Sequence, residues 1–347
     1  MLPPYRHSMG APEAAGGMTR GDGWLVYTED ELKRNRFFAD ALVSAFAAEG
    51  MRLLCPSYEA IQAKVGATLP APIQVIAGLG LLESGDGWPF GPDVERPLFV
   101  LNRSRQAALG EAFEAWGISV FNNSLTTALG NDKWLQYVFF QGYSADIPTL
   151  PTLLLSDCLA NVGTEAGALM EARAGTACRS AEVVLGKAPW VVKARGGHGG
   201  KDVHLLPDVG AFTAFLRHLA QSGRGIAAAE DWILQRLVSE RGRDLRVYIL
   251  NGKPDAFVER RGHGDFRSNY SLGGSCTYAK PDRAVLTVLE QILGRVRLDY
   301  GAVDFIFDHG KPYLNEIEDM AGVRMLYALG DTAMPRRLAR YLRDSYG

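Results

Sequence analysis

The chain has 347 residues, more than one core usually supports, so two or three subdomains are expected. Its 47% hydrophobic and 22% charged residues are ordinary for a globular protein, and a net charge of −2 gives no reason to expect nucleic acid or an anionic membrane as partner. No apolar run approaches the roughly 18 residues of a membrane span, and the N-terminus lacks a charged-then-apolar signal pattern.

Residues 1–22, rich in Gly, Ala and Pro, read as a disordered leader, with Met18 an alternative start. Trp24–Thr28 reads as a strand and 30–49 as a helix, in which Leu32, Phe37, Phe38, Leu42 and Phe46 recur at near-helical spacing before Gly50. Arg52–Cys55 begins a second strand, and the Gly- and Pro-bearing stretch 84–97 reads as a loop. Pro97–Asn102 is a buried-looking strand, followed by a helix over 104–116 and a strand over Ile118–Phe121. This alternation predicts a parallel α/β domain ending near residue 123. Arg103 sits just past a strand end, where such sheets place ligand contacts; a surface Arg at a helix start is the plain alternative.

A helix over 131–143 carries Lys133 in its first turn, against the macrodipole, which makes it a candidate phosphate ligand. Residues 157–182 show no pattern that assigns them. Within PWVVKARGGHGGKDVHLL, two β-branched runs enclose Gly196, Gly197, Gly199 and Gly200, which let backbone N–H groups approach an anion. The loop is not a Walker A: the spacing fails by one residue, Asp202 replaces Ser or Thr, and a strand follows instead of a helix. With an inward Lys193 it reads as a flap able to close over a triphosphate, or as a plain hairpin loop. A helix over Val209–Gln221, a strand over Trp232–Leu237 and a meander (Leu245–Leu250, Pro254–Arg260) come next. The Arg-dense segment Glu259–Gly274 follows, with guanidinium forks suited to carboxylate or phosphate.

After a helix over Arg283–Arg297, runs 302–307 and 312–317 flank Asp308-His309-Gly310-Lys311, a hairpin turn; a helix over 332–344 closes the chain. Glu316 and Glu318 share a strand face, with Asp304 at nearly the same height on the partner, to within one residue of register. At about 4 Å and an effective dielectric near 20, each like-charged pair costs on the order of 4 kcal/mol without a cation. Hard oxygen donors of this kind suit Mg²⁺ held jointly with phosphates; a solvated face is the alternative. The four cysteines are scattered, without a CxxC pair or zinc spacing, and read as reduced thiols of a cytoplasmic protein.

The ordered set resembles the ATP-grasp fold, most closely its RimK-like carboxylate–amine ligases. The matching residues are Lys193 with the glycine loop, Gln235-Arg236-Leu237, Asp244-Leu245-Arg246, Arg260, Phe266–Asn269 with Gly273-Gly274, and Asp304 with Glu316. The resemblance implies an α/β (α+β) architecture: a leader over 1–22, an N-terminal parallel α/β domain over 23–123, and two α+β subdomains over 124–238 and 239–347. The two subdomains would grip ATP between antiparallel sheets. It implies that Lys133 and Lys193 hold ATP phosphates under Gly196–Gly200, and that Gln235, Arg236 and Leu237 form the adenine hinge. Asp244 would contact the ribose, with Arg246 in the same motif on the nucleotide side. Arg260, Arg267, Ser268 and Asn269 would serve the γ-phosphate and the reacting carboxylate. Asp304 and Glu316 would ligate two Mg²⁺ ions, with Mn²⁺ as a substitute, and Glu318, where the family commonly has Asn, would still ligate. The family commonly has Pro near Ala321, so the tail EIEDMAGVRMLY departs from it where acceptor-side contacts are expected. The implied activity joins a carboxylate to an amine through an acyl phosphate, releasing ADP and phosphate. The substrates would be small amino acids or peptides and the protein a homodimer. Phosphate transfer to a hydroxyl, or nucleotide binding without turnover, are the alternatives.

Overall fold

The structure, a computed structural model, describes residues 22–65, 90, 94–143, 146–159, 169–264, 266–268, 270 and 273–346. The expected leader (all but Asp22), most of the 84–97 loop and Asn269 lie outside these residues. Strands β1 (Gly23–Val26), β2 (Leu53–Leu54), β3 (Phe99–Asn102) and β4 (Ser119–Phe121) form a parallel sheet in the order β2-β1-β3-β4. Helices α1 (Glu29–Ala48), α2 (Tyr58–Val65) and α3 (Ala107–Ala115) alternate with them. Thr28 caps α1 by accepting from the Glu31 N–H, and three acids fill the first turn, favourable at the positive end of the helix dipole. Phe38, Leu42 and Phe46 form its buried stripe, whereas Phe37 faces outward against the edge of the Tyr327 ring.

Helices α4 (Ser124–Asn131) and α5 (Lys133–Tyr143) lead to β5 (Thr152–Leu154), α6 (Leu155–Leu159) and α7 (Leu169–Leu185), the last two falling where the sequence pattern is silent. Strands β6 (Trp190–Ala194) and β7 (Val203–Leu206), helix α8 (Val209–Ala220) and strand β8 (Trp232–Arg236) complete an antiparallel sheet, β5-β8-β6-β7. The third sheet is antiparallel, in the order β11-β10-β9-β12-β13. It comprises β9 (Arg243–Leu250), β10 (Lys253–Arg261), β11 (Ser275–Tyr278), β12 (Tyr300–Asp308) and β13 (Lys311–Glu318). Helix α9 (Arg283–Leu293) precedes β12, and α10 (Arg324–Ala328) and α11 (Met334–Tyr346) end the described chain.

The hydrophobic cores cross the boundaries expected from sequence. Leu129 and Phe140 of α4 and α5 pack with Val247, Val303, Phe305 and Ile292, so these helices line the third sheet rather than the central one. A second core joins Phe38, Phe99 and Phe121 of the N-terminal domain to Tyr248, Tyr300, Leu338 and Leu342. The central sheet keeps its own core, built from Trp190, Leu234, Phe212, Leu216 and the small face of α7 (Ala177, Ala181).

Polar side chains fasten the segment that follows β13. Asn122 donates to the carbonyls of Tyr300 (2.6 Å) and Asp319 (3.0 Å) and accepts from the N–H groups of Asp299 and Tyr300. Arg103 is buried, neither a ligand contact nor a surface residue. Its guanidinium donates to Tyr27 Oη (2.8 Å) and to the carbonyls of Met320 (3.0 Å) and Ala321 (3.2 Å), against the rings of Phe38 and Tyr300. Tyr300 and Tyr248 donate to the carbonyls of Ala321 and Gly322. Four successive tail carbonyls, of residues 319–322, are thus occupied inside the fold. Replacing Arg103 by Ala would strand the buried Met320 carbonyl and remove the donor to Tyr27 Oη, while Ala321 keeps Tyr300; a loss of about 3 kcal/mol in urea-unfolding stability is expected.

Candidate active site

The β12–β13 hairpin turns through His309 (φ 50°) and Gly310 (φ 76°), the two positive φ values of a two-residue hairpin loop that follows strand twist. Asp304 stands directly opposite Glu316, but the next pair is Phe305 with Leu314, so Asn315 is an extra bulged residue. Bulges re-aim side chains. Here the Asn315 Oδ1 accepts from Lys193 Nζ at 3.0 Å, joining the third sheet to β6.

Register also explains the charges. Asp304 lies opposite Arg246, and Asp244 opposite Arg260, across neighbouring strands. Arg246 grips Asp304 with two bonds of 2.7 Å; Arg260 donates to Asp304 at 2.6 Å and to both oxygens of Asp244 at 2.5 and 2.7 Å. Ser268 Oγ also donates to Asp244. All five residues are buried. Burial opposes ionisation of Asp304, but Arg246 and Arg260 outweigh it and hold the carboxyl at about 2. The repulsion expected among the acids is therefore relieved mainly by arginine. Within the protein the Asp244 carboxylate is engaged by Arg260 and Ser268, and Arg246 and Arg260 are engaged by carboxylates.

Glu316 pairs with Lys133 Nζ at 3.2 Å, and Glu318 lies 3.6 Å from Arg246. Burial, reinforced by Glu318 and Asp304 against Lys133, raises the Glu316 carboxyl. Burial opposes ionisation of Glu318, but Arg246 and Arg105 prevail and lower it. Lys193 is pushed down to about 8 by burial and by the neighbouring charge of Lys133. The glycine loop is drawn onto this group. Lys133 Nζ donates to Gly197 O (2.5 Å), Arg267 Nη1 to Gly200 O (2.8 Å), and Arg195 pairs with Asp132. Gly199 and Gly200 have φ of 70° and 76°, a bend that side chains disfavour. On β8, Gln235 Nε2 donates to Thr152 Oγ1, Arg236 pairs with Asp308 at 2.6 Å, and the Leu237 N–H donates to Pro189 O. A cavity of about 540 Å³ opens at the loop's root, against Asn131, Asp132, Arg195 and Asp231, beside the acids and lysines rather than among them.

Among the described residues no three His, Cys, Asp or Glu side chains converge as a metal cluster. Two carboxylates with phosphate oxygens suffice for Mg²⁺. Glu316 and Glu318 fit that need: both are oxygen donors on one strand face, and Glu318 Oε1 is buried without a hydrogen-bond partner. A carboxylate offers about four acceptor sites, of which Asp304 already fills three with arginine, so it has room for one more bond. Sequence reasoning missed Asn315, whose bulge breaks simple alternation, and Arg105 and His198, which border the same group. His198 stood inside the glycine loop already noted, whereas Arg105 fell within the helix expected over 104–116, which begins only at Ala107.

A family model described as the RimK-like ATP-grasp domain matches residues 164–342, just over half of the chain. The chain belongs to the RimK-like ATP-grasp family. It is 34% identical over 143 residues to an uncharacterized protein of Mycoplasma genitalium, covering 41% of this chain and 47% of that one. A probable alpha-L-glutamate ligase of Stenotrophomonas maltophilia is 29% identical over 161 residues, covering 46% and 53%. The chain thus spans about half the length of the curated relatives it matches. Among solved structures, the ATP-grasp ligase PsnB complexed with a variant of its minimal precursor, Mg and ADP superposes with a TM-score of 0.60 at 14% identity. That superposition covers 95% of this chain and all of PsnB, and establishes the ATP-grasp fold throughout.

Asp304→Asn would leave Arg246 and Arg260 facing an uncharged partner in a buried site, with an expected loss of about 3–5 kcal/mol in chemical unfolding. The folded carboxyl sits below its unfolded value of about 3.9. The stability it contributes is therefore complete above that value and lost as pH falls through about 2. An acid titration of unfolding free energy should show this loss in the native protein and a shallower one in the variant.

Proposed function

We propose that this RimK-like ATP-grasp protein is an ATP-dependent ligase that activates a carboxylate as an acyl phosphate and joins it to an amine, releasing ADP and phosphate. The observation that carries the reading is the convergence of Lys133, Lys193 and the glycine loop on Asn315 and Glu316 of β13. Two cations, a closable backbone flap and adjoining carboxylates form one site. The glutamate-ligase name of a relative and the ADP and Mg of the superposed neighbour agree with it.

A carboxylate is a poor electrophile, and phosphorylation gives it a leaving group. Little covalent chemistry is then asked of the protein, whose task is positioning and charge stabilisation. Lys193 and Lys133 would sit against the phosphates, Lys193 held in place by Asn315. The N–H groups of Gly196–Gly200 would cover them and exclude water. Arg267, on the carbonyl of Gly200, would keep the flap down beside the reacting groups, with Arg260 supporting the acids from beneath. Gln235, Arg236 and Leu237 would border the adenine. Glu316 and Glu318, with Asp304 adding a single bond, would hold two Mg²⁺ ions, or Mn²⁺ with its like preference for oxygen, whose charge neutralises phosphate oxygens. An amine displaces phosphate from the activated acyl group and forms the amide.

A screen of amino-acid and short-peptide pairs should find ADP release that needs both partners and yields an amide. Phosphate retained on a hydroxyl acceptor would overturn the ligase reading, as would binding of ATP without consumption in any mixture. Glu316→Gln should cut ADP release by at least a hundredfold with an unchanged circular-dichroism spectrum; undiminished turnover removes Glu316 from the site. Lys193 must be protonated to attract phosphate, and its depressed value puts that protonation at about 8. Nucleotide binding should take up a proton and weaken as pH rises past that point. Lys193→Arg, charged throughout, should flatten the dependence in calorimetry.

A further inference from the structure

Next to Arg103, Arg105 is built for a different purpose. It lies just beyond the carboxyl end of β3, the edge at which parallel sheets of this kind meet ligands. Asn102 shapes the turn: its Oδ1 accepts from the N–H and Oγ of Ser104, and its Nδ2 donates to Gln106 O at 3.0 Å. The result holds Arg105 at φ 63°, a left-handed conformation that a side-chain-bearing residue seldom adopts unless the surroundings enforce it.

The hydrogen-bonding capacity so placed is lightly used. Nε lies 3.4 Å from Glu31 and Nη1 3.2 Å from Asn131 Oδ1. No acceptor among the described residues takes the other three of its five N–H groups. Its side chain is 21% exposed, enough to reach a ligand without being free in solvent. His198, at the centre of the glycine loop, has an Nδ1 that is buried without a hydrogen-bond partner. Asn131, which accepts from Arg105, lines the root cavity with Gly196 and Gly197, and among charged groups Arg105 acts most strongly on that imidazole, followed by Glu318, so flap, N-terminal domain and acids meet in one corner. The unused N–H groups of Arg105 make this corner one where a substrate beside the nucleotide finds donors.

We propose that Arg105, with His198 closing over it from the flap, binds a carboxylate of the substrate that shares the site with the nucleotide. The assignment rests on the ligase reading and adds the residues that select a substrate. A guanidinium with free N–H groups matches the two oxygens of a carboxylate in a way that a methyl ester does not. Nucleotide phosphate is the other source of anionic oxygen, and the test separates the two.

Calorimetric titration would use the twenty standard amino acids, each beside its methyl ester, with and without a non-hydrolysable ATP analogue and Mg²⁺. At least one free acid should bind at least tenfold tighter than its ester. Arg105→Gln should erase that preference while changing analogue affinity less than twofold, with Arg105→Lys intermediate. His198→Ala should weaken the same acid at least threefold and provides the check should the Arg105 variants not fold. An unchanged acid-to-ester ratio in Arg105→Gln overturns the proposal. So does an analogue affinity that falls as far as the acid's, or a panel in which no free acid binds the native protein. Failure of the analogue to bind the native protein instead strikes the ligase reading, and the acid–ester comparison without nucleotide still decides the role of Arg105.

Discussion

The bidentate clasp of Arg246 on Asp304 is the constraint around which the rest of the site is arranged. A buried carboxylate needs its charge met within a few ångströms, and one arginine two positions from Asp244 and a second across the sheet at residue 260 supply it. That arrangement fixes three strands in register and sets Glu316 and Glu318 beside a neutralised neighbour. Those two carboxylates then remain as the acids with capacity for a further cation. The three-carboxylate patch inferred from strand alternation is geometrically close to what forms. The remedy for its repulsion differs: the fold supplies arginine from within instead of relying wholly on a metal.

Above this layer, lysines and glycines form a second one. Lys133 touches both a loop carbonyl and Glu316, and Lys193 reaches a bulged asparagine, so the central sheet and the third sheet are linked through groups that phosphate oxygens would also engage. The same contacts that close the flap are those a nucleotide would have to replace. On the proposed ligase reading, closure and binding would draw on one set of cations.

Much of this was legible in the chain. Hairpin turn chemistry placed Asp304 against Glu316 to within a residue, and the glycine loop with Lys193 located the flap. What remained hidden depends on register and on packing between distant segments. The bulge at Asn315 disrupts the period that strand reading assumes. Asp244 and Arg260 are recognisable as partners only once β9 and β10 are aligned. Arg103 and Arg105 lie two residues apart in one turn. One is buried under tail carbonyls and the other is part-exposed beside Glu31 and Asn131, a distinction made by tertiary contacts and by a left-handed backbone that composition does not announce.

The clamp made by Asn122 and Arg103 bears on how such proteins diversify. Because the first parallel sheet, α1 and α11 bury their side chains in a common core with Tyr248 and Tyr300, the portion that the family model matches is not a self-sufficient cassette. Grafting a foreign front end onto it would expose aromatic surface unless the receiving side chains were recut as well. A change confined to a loop residue such as Arg105 would leave that shared core intact.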